Sequence, residues 1–184
     1  MNRTIDRLSR VITLRTYDDA RSWLTRYAEG VFSLLFMIGR PGTGKSQMAL
    51  QAIGDRPHVF FECHATKLAF YCKLFKHRNQ LVVIDDEVNF VKDPGKLALM
   101  NSLCQTNPVK TLRWDSTTKI LDDWGVPPEF TTSSSVLVIT NRLRNLSPQT
   151  AAMIDRGLPL LFQPSSAEVH CEVANWFTDR ETYD

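Results

Sequence analysis

The run Gly39-Arg-Pro-Gly-Thr-Gly-Lys45-Ser46 carries the most specific chemistry in this sequence. It fits the spacing G-x-x-x-x-G-K-[ST], with an apolar stretch before it and a helix-forming one after it. Holding a triphosphate requires backbone N–H groups aimed inward at short range, and Gly39, Gly42 and Gly44 remove the side chains that would block them. The positive N-terminus of the following helix adds to that field. Lys45 has the reach to meet the outer phosphates, and Ser46 offers a hydroxyl of the kind that Mg²⁺ takes as one of its oxygen ligands. The nucleotide-binding segment is therefore expected to be 39–47, with Arg40, Pro41, Thr43 and Gln47 completing it.

Two further segments end in groups suited to the same chemistry. Leu81-Val-Val-Ile-Asp85-Asp86-Glu87 is an apolar run closed by three adjacent carboxylates, whose mutual repulsion calls for a cation. Asp85, first after the strand, is expected in the Mg²⁺ shell through water. Asp86 is expected to orient or activate the attacking water, with Glu87 competing for that role. Val136-Leu-Val-Ile-Thr-Asn141 places an amide at the carboxyl end of a buried strand, where open α/β sheets collect ligands. Asn141 could there hold a water or touch the terminal phosphate.

Positioning three strand ends together requires a parallel sheet, and the hydropathy pattern supplies one. Apolar runs at Val31–Ile38, Val59–Glu62, Leu81–Ile84, Val136–Thr140 and Leu158–Phe162 alternate with amphipathic stretches, predicting a five-stranded, mainly parallel sheet between helices. Helices are expected near Lys45–Ile53, Thr66–His77, Gly95–Thr106, Thr150–Asp155 and Ser165–Phe177, and one before the first strand, capped by Thr16 and closed by Gly30. The 107–135 stretch, with a further strand at Lys110–Trp114 and a Pro127-Pro128 break, reads as an insertion. The expected organisation is an arm and helix over 1–30, a core over 31–163 and a terminal helix over 164–184.

Composition sets the outer limits. Twenty-two Lys and Arg against 20 Asp and Glu leave a net charge of +2, which excludes a histone-like polycation without naming a partner. The longest apolar stretch, Val31 to Ile38, is far short of the roughly 20 residues of a membrane helix, so no membrane association is expected. Cys63, Cys72, Cys104 and Cys171 form no C-x-x-C pair, which fits reduced thiols in a cytoplasm.

Taken together, the cradle, the strand with acids, the strand ending in Thr-Asn and the later Met153-Ile-Asp-Arg156-Gly resemble the AAA+ ATPase family, in its additional-strand P-loop class. The resemblance spans 31–163 and implies a three-layer P-loop NTPase fold that binds and hydrolyses Mg-ATP. It assigns Gly39, Gly42, Gly44, Lys45 and Ser46 to Walker A, Asp85 and Asp86 to Walker B, and Asn141 to sensor 1. It also implies a homo-oligomer, ring or filament, in which Arg156 reaches a neighbouring subunit's site; Arg142 and Arg144 compete for that role. Two departures stand out: Asp-Asp-Glu replaces the usual Asp-Glu, and the helical lid is missing or reduced to one helix.

For the client, Lys67-Leu-Ala-Phe-Tyr-Cys-Lys-Leu-Phe-Lys-His-Arg78 mixes four cations and three aromatic rings without an acid, a composition suited to single strands. Phe70, Tyr71, Leu74 and Phe75 at helical spacing read equally as core contacts, with Lys73, Lys76 and Arg78 on the wet face. The insertion is similar, more loosely, to the substrate-contacting hairpin of superfamily 3 helicases, with Lys110, Arg113 and Lys119 as its cations. Lys67 and Lys73 join these three as nucleic-acid candidates. The expected function is an ATPase that remodels or moves along DNA, or acts on a DNA-bound protein, in replication, transposition or a mobile element. A nucleotide-gated assembly module with slow turnover and a small-molecule kinase are the competing classes.

Overall fold

The structure, a computed structural model, describes residues 10–62, 65–85, 93–115, 119–141 and 148–180, without the side chains of 177, 179 and 180. Its central feature is a six-stranded sheet built from β1 (Ile12–Leu14), β2 (Leu34–Gly39), β3 (His58–Glu62), β4 (Leu81–Asp85), β7 (Val136–Thr140) and β8 (Leu158–Phe162). The order is β1-β8-β2-β7-β4-β3, and every pairing is parallel. The helices are α1 (Tyr17–Ala28), α2 (Lys45–Ile53), α3 (Lys67–Lys76), α4 (Pro94–Leu103), α5 (Lys119–Asp123), α6 (Pro148–Arg156) and α7 (Ser166–Arg180). None of the described helices is long and apolar enough to cross a membrane.

The sheet has six strands rather than the expected five. The extra one, β1, is three residues long and lies on the edge beside β8, in register Ile12↔Leu160 to Leu14↔Phe162. With α1 packed on α2, the described residues ahead of β2 belong to the same body. β2 also begins later than its apolar run suggests. Val31 is 61% exposed, because α1 ends through Gly30 in the left-handed region (φ 78) and the Val31 N–H bonds back to Arg26 O. After β8 the described chain holds one helix, α7.

Every residue of β2 is buried because both faces of the sheet are covered. Leu35 and Met37 pack with Leu24, Tyr27, Ala49 and Ile53 from α1 and α2. Leu34, Phe36 and Ile38 pack with Phe70, Leu99, Met100 and Met153 from α3, α4 and α6. Burial of each large apolar side chain contributes roughly 1.5–3 kcal/mol, so these two layers fix which way the strand ends point. Tyr27 ties α1 to the sheet, its buried hydroxyl donating to Val82 O at 2.8 Å.

The insertion is an antiparallel hairpin, β5 (Lys110–Arg113) with β6 (Glu129–Thr132), bridged by α5 and packed on α4. Tyr71 Oη on α3 donates to Pro127 O at 2.9 Å, tying the hairpin to the core layer. Phe70, Tyr71 and Leu74 are buried, and Phe75 packs edge-on against Phe130. The reading of these rings as stacking platforms for bases is therefore corrected: their 3.6-residue spacing serves the core.

Candidate functional site

Three strands deliver their carboxyl ends to one place because all run the same way: β2 ends at Gly39, β4 at Asp85, and β7 just before Asn141. Gly39 lies against β8, where an added Cβ would stand 2.7 Å from Phe162 O. Gly42 (φ 75) and Gly44 (φ 73) hold the left-handed conformation that turns the chain into α2, a region costly to other residues. Thr43 Oγ1 donates to Arg40 O at 2.9 Å and closes this turn. Gly44 caps α2 without a side-chain hydrogen bond, so the first N–H groups of that helix point into the loop.

Lys45 is buried, and its ammonium is held at the centre of the loop. Nζ donates to Gly39 O at 3.0 Å, Arg40 O at 2.7 Å and Asn141 Oδ1 at 2.9 Å. The Ser46 hydroxyl donates to Asp85 Oδ2. The structure thus brings Gly39, Lys45, Ser46, Asp85 and Asn141 together, from three segments up to 96 residues apart. Arg40, Pro41, Gly42 and Gln47 are exposed around the loop. Asp86, Glu87, Arg142 and Arg144 lie outside the described residues, as do Cys63 and His64. Arg156 is the exposed last residue of α6, and no hydrogen bond or ion pair joins it to the loop among the described residues.

The Ser46–Asp85 contact is the observation that bears on a metal. A hydroxyl and a carboxylate oxygen side by side are hard donors, and Mg²⁺ characteristically uses one or two protein oxygens and keeps its other positions for water and phosphate. Among the described residues no group of three His, Cys, Asp or Glu gathers here or elsewhere, so the fit rests on this hydroxyl–carboxylate pair. The residues present therefore fit Mg²⁺ at this point.

Beside the loop lies a cavity of about 610 Å³ between the tips of β2 and β8 and the start of α7, lined in part by Arg40, Thr43, Asn141, Gln163, Ser166 and His170. Its size is within the usual range for small-molecule sites. The sequence reading missed the α7 side of this cavity. The signal was available in Gln163-Pro-Ser-Ser166, a polar run directly after a buried strand's carboxyl end. Helix α7 is fastened over α1 by Glu168 Oε1, which accepts the Tyr17 N–H at 3.2 Å, and by an Arg21–Glu172 ion pair.

The five cationic candidates separate. Lys110 is corrected outright: it is 1% exposed, and its ammonium donates to Ser134 O inside the hairpin, so it is not available to a ligand. Lys73 Nζ donates to Phe60 O at 2.7 Å. Lys119 is exposed on α5. Lys67 and Arg113 line one groove beside α4.

Burial holds Lys110 below its ordinary pKa of 10.5, with Cys104 pulling weakly the other way. Between the lowered folded value and the unfolded one the unfolded chain binds more protons, so Lys110 makes stability rise with pH across that interval. Lys110→Met removes this slope. In urea titrations from pH about 7 to about 10, the stability of the parent relative to the variant is expected to climb; a constant difference would contradict the burial of a charged lysine.

Set beside models of known protein families and beside curated proteins, the chain matches none of them.

Proposed function

We propose that this chain is an ATPase of AAA+ type, with a P-loop NTPase fold, that binds and hydrolyses Mg-ATP and works as an oligomer on nucleic acid. The observation that carries this reading is the convergence on Lys45: its ammonium meets Asn141 while its neighbour Ser46 meets Asp85. A glycine turn of structural use alone has no reason to gather a buried lysine, a hydroxyl, a carboxylate and an amide from three strand ends. The strand order supports the additional-strand class, since β7 is interposed between the cradle strand β2 and the acid strand β4.

Each residue then has a task. The N–H groups of 42–46 bind the phosphates, with the start of α2 contributing its dipole. Lys45 lies where charge builds on the γ-phosphoryl oxygens as the bond to the bridging oxygen breaks. Ser46 and Asp85 would hold Mg²⁺, which when bound supplies Lewis-acid relief of charge on the β- and γ-phosphates. Asn141 orients the attacking water, and Asp86 or Glu87 takes its proton. Arg156, always charged and exposed at the end of α6, suits a contact with the γ-phosphate of a neighbouring subunit. The 610 Å³ cavity beside the loop has room for the nucleoside.

The test is phosphate release from Mg-ATP with no added acceptor, with and without single-stranded and duplex DNA, alongside mass measurement with and without ATP. Turnover stimulated by DNA in a several-fold larger particle is the expected result. ATP-dependent assembly without stimulated turnover would favour a recruitment module instead, and release that requires an acceptor would favour a kinase.

A further inference from the structure

The two edges of the main sheet are closed in different ways. At one, β1 is only three residues long, too short to template another strand. At the other, β3 runs for five residues, and among the described residues no strand lies beyond it. Just ahead of β3, Pro57 O accepts the Leu81 N–H and so points inward, toward β4. Backbone N–H and C=O groups alternate between the two edges along a strand, so those of His58, Phe60 and Glu62 point outward. Such a row is a ready template for a further strand.

One side chain stands over that template. Lys73 comes across from α3, and its ammonium donates to Phe60 O at 2.7 Å while lying 5.0 Å from the centre of the Phe61 ring. Phe60 is the middle residue of β3. The edge beneath the lysine is self-complementary. An antiparallel second copy centred on Phe60 would set Phe60 against Phe60, and His58 against Glu62 at both ends. Each outward residue then exchanges both of its backbone hydrogen bonds with the residue opposite. Ring meets ring at the centre, and a carboxylate meets an imidazole on either side, a pair that attracts once the imidazole carries its second proton.

We infer that Lys73 guards this edge against a second copy of the chain, and that without it two chains join β3 to β3 about a two-fold axis into one continuous sheet. The guard acts twice. It occupies the carbonyl at the centre of the template, and a two-fold axis at Phe60 would bring the two ammonium groups toward each other. A strongly hydrated charge on a flexible stem is easily held at an open rim and costly to cover with another strand. The pairing needs no nucleotide and stops at two, because an isologous contact uses the one β3 edge that each chain has. It is therefore separate from the ATP-dependent assembly proposed above.

The experiment is sedimentation velocity of the whole chain without nucleotide, over a series of concentrations, with circular dichroism of every variant expected to match the parent. The parent is expected to remain a single copy. Lys73→Ala is expected to reach twice that mass at roughly tenfold lower concentration than the parent needs, the change that one freed hydrogen bond and the lost repulsion together produce. Lys76→Ala, an exposed lysine of the same helix, behaves as the parent. Glu62→Pro removes an outward N–H and no bond to β4, and the residue before it is already extended, so the fold accepts it. Added to Lys73→Ala, it is expected to restore the single copy, a reversal that misfolding does not mimic. A Lys73→Ala chain as monomeric as the parent, a pair that survives Glu62→Pro, or growth beyond two copies would each overturn the assignment.

Discussion

Lys45→Ala is expected to lower ATP turnover by roughly two to three orders of magnitude, because its ammonium is fixed at the centre of the loop. The same substitution has a structural cost, since Gly39 O, Arg40 O and Asn141 Oδ1 lose the donor they share. Unsatisfied buried acceptors cost about 1–3 kcal/mol in sum, which at this chain length lowers Tm by roughly 2–12 °C. Circular dichroism at 20 °C below the parent's Tm should therefore show a folded chain that does not turn over. Asn141→Ala loses less, and the double variant falls little further than Lys45→Ala alone, because the two side chains act through one contact. Turnover by Lys45→Ala at the parent's rate would end the catalytic assignment, and additive losses would mean that Asn141 acts apart from Lys45.

How much of this was legible in the sequence varied with the physical signal. α2 was readable to the residue, Lys45–Ile53, since the glycine turn before it and Gly54 after it bracket an amphipathic run. The strands β3, β4, β7 and β8 were nearly so, because their interior positions are apolar and polar residues stand only at their ends. β1 and β6 were not readable. Ile12-Thr-Leu14 is too short to show a period, and Glu129-Phe-Thr-Thr132 exposes every second residue behind two prolines. Lys110 was misread although a signal existed. It shares a strand face with Leu112, which is fully buried, and faces Thr132 across the hairpin as Leu112 faces Phe130. Strand alternation outranked charge there, and the long lysine found a carbonyl at the end of its stem. Within the site, residue types and spacing identified the loop and its three strand ends, whereas the α7 wall of the cavity was missed although the polar run Gln163-Pro-Ser-Ser166 at the end of β8 marks it.

The glycines of the loop look interchangeable in sequence, and the structure gives them different work, which Gly39→Ala and Gly42→Ala should separate. At Gly42 a Cβ would meet nothing within 4 Å, so alanine there suffers only from its positive φ of 75, about 1–2 kcal/mol. At Gly39 the φ is ordinary but a Cβ would sit 2.7 Å from Phe162 O and 3.3 Å from Phe162 Cβ. The first of these is a backbone atom of a paired strand, in register with Gly39 itself. It cannot rotate aside as a side chain would, so β2 and β8 must separate at their carboxyl ends. Overpacking against fixed atoms costs about 3 kcal/mol, or roughly 6–12 °C in Tm for a chain of this length, against roughly 2–8 °C for Gly42→Ala. The same movement displaces Gly39 O, one of the acceptors that hold Lys45, and widens the cavity wall at Phe162. Gly39→Ala should therefore lose stability and nucleotide affinity together, measured by thermal melts and by calorimetry with Mg-ATP. If Gly42→Ala proves the more damaging to Tm, close strand approach is not what glycine serves at position 39.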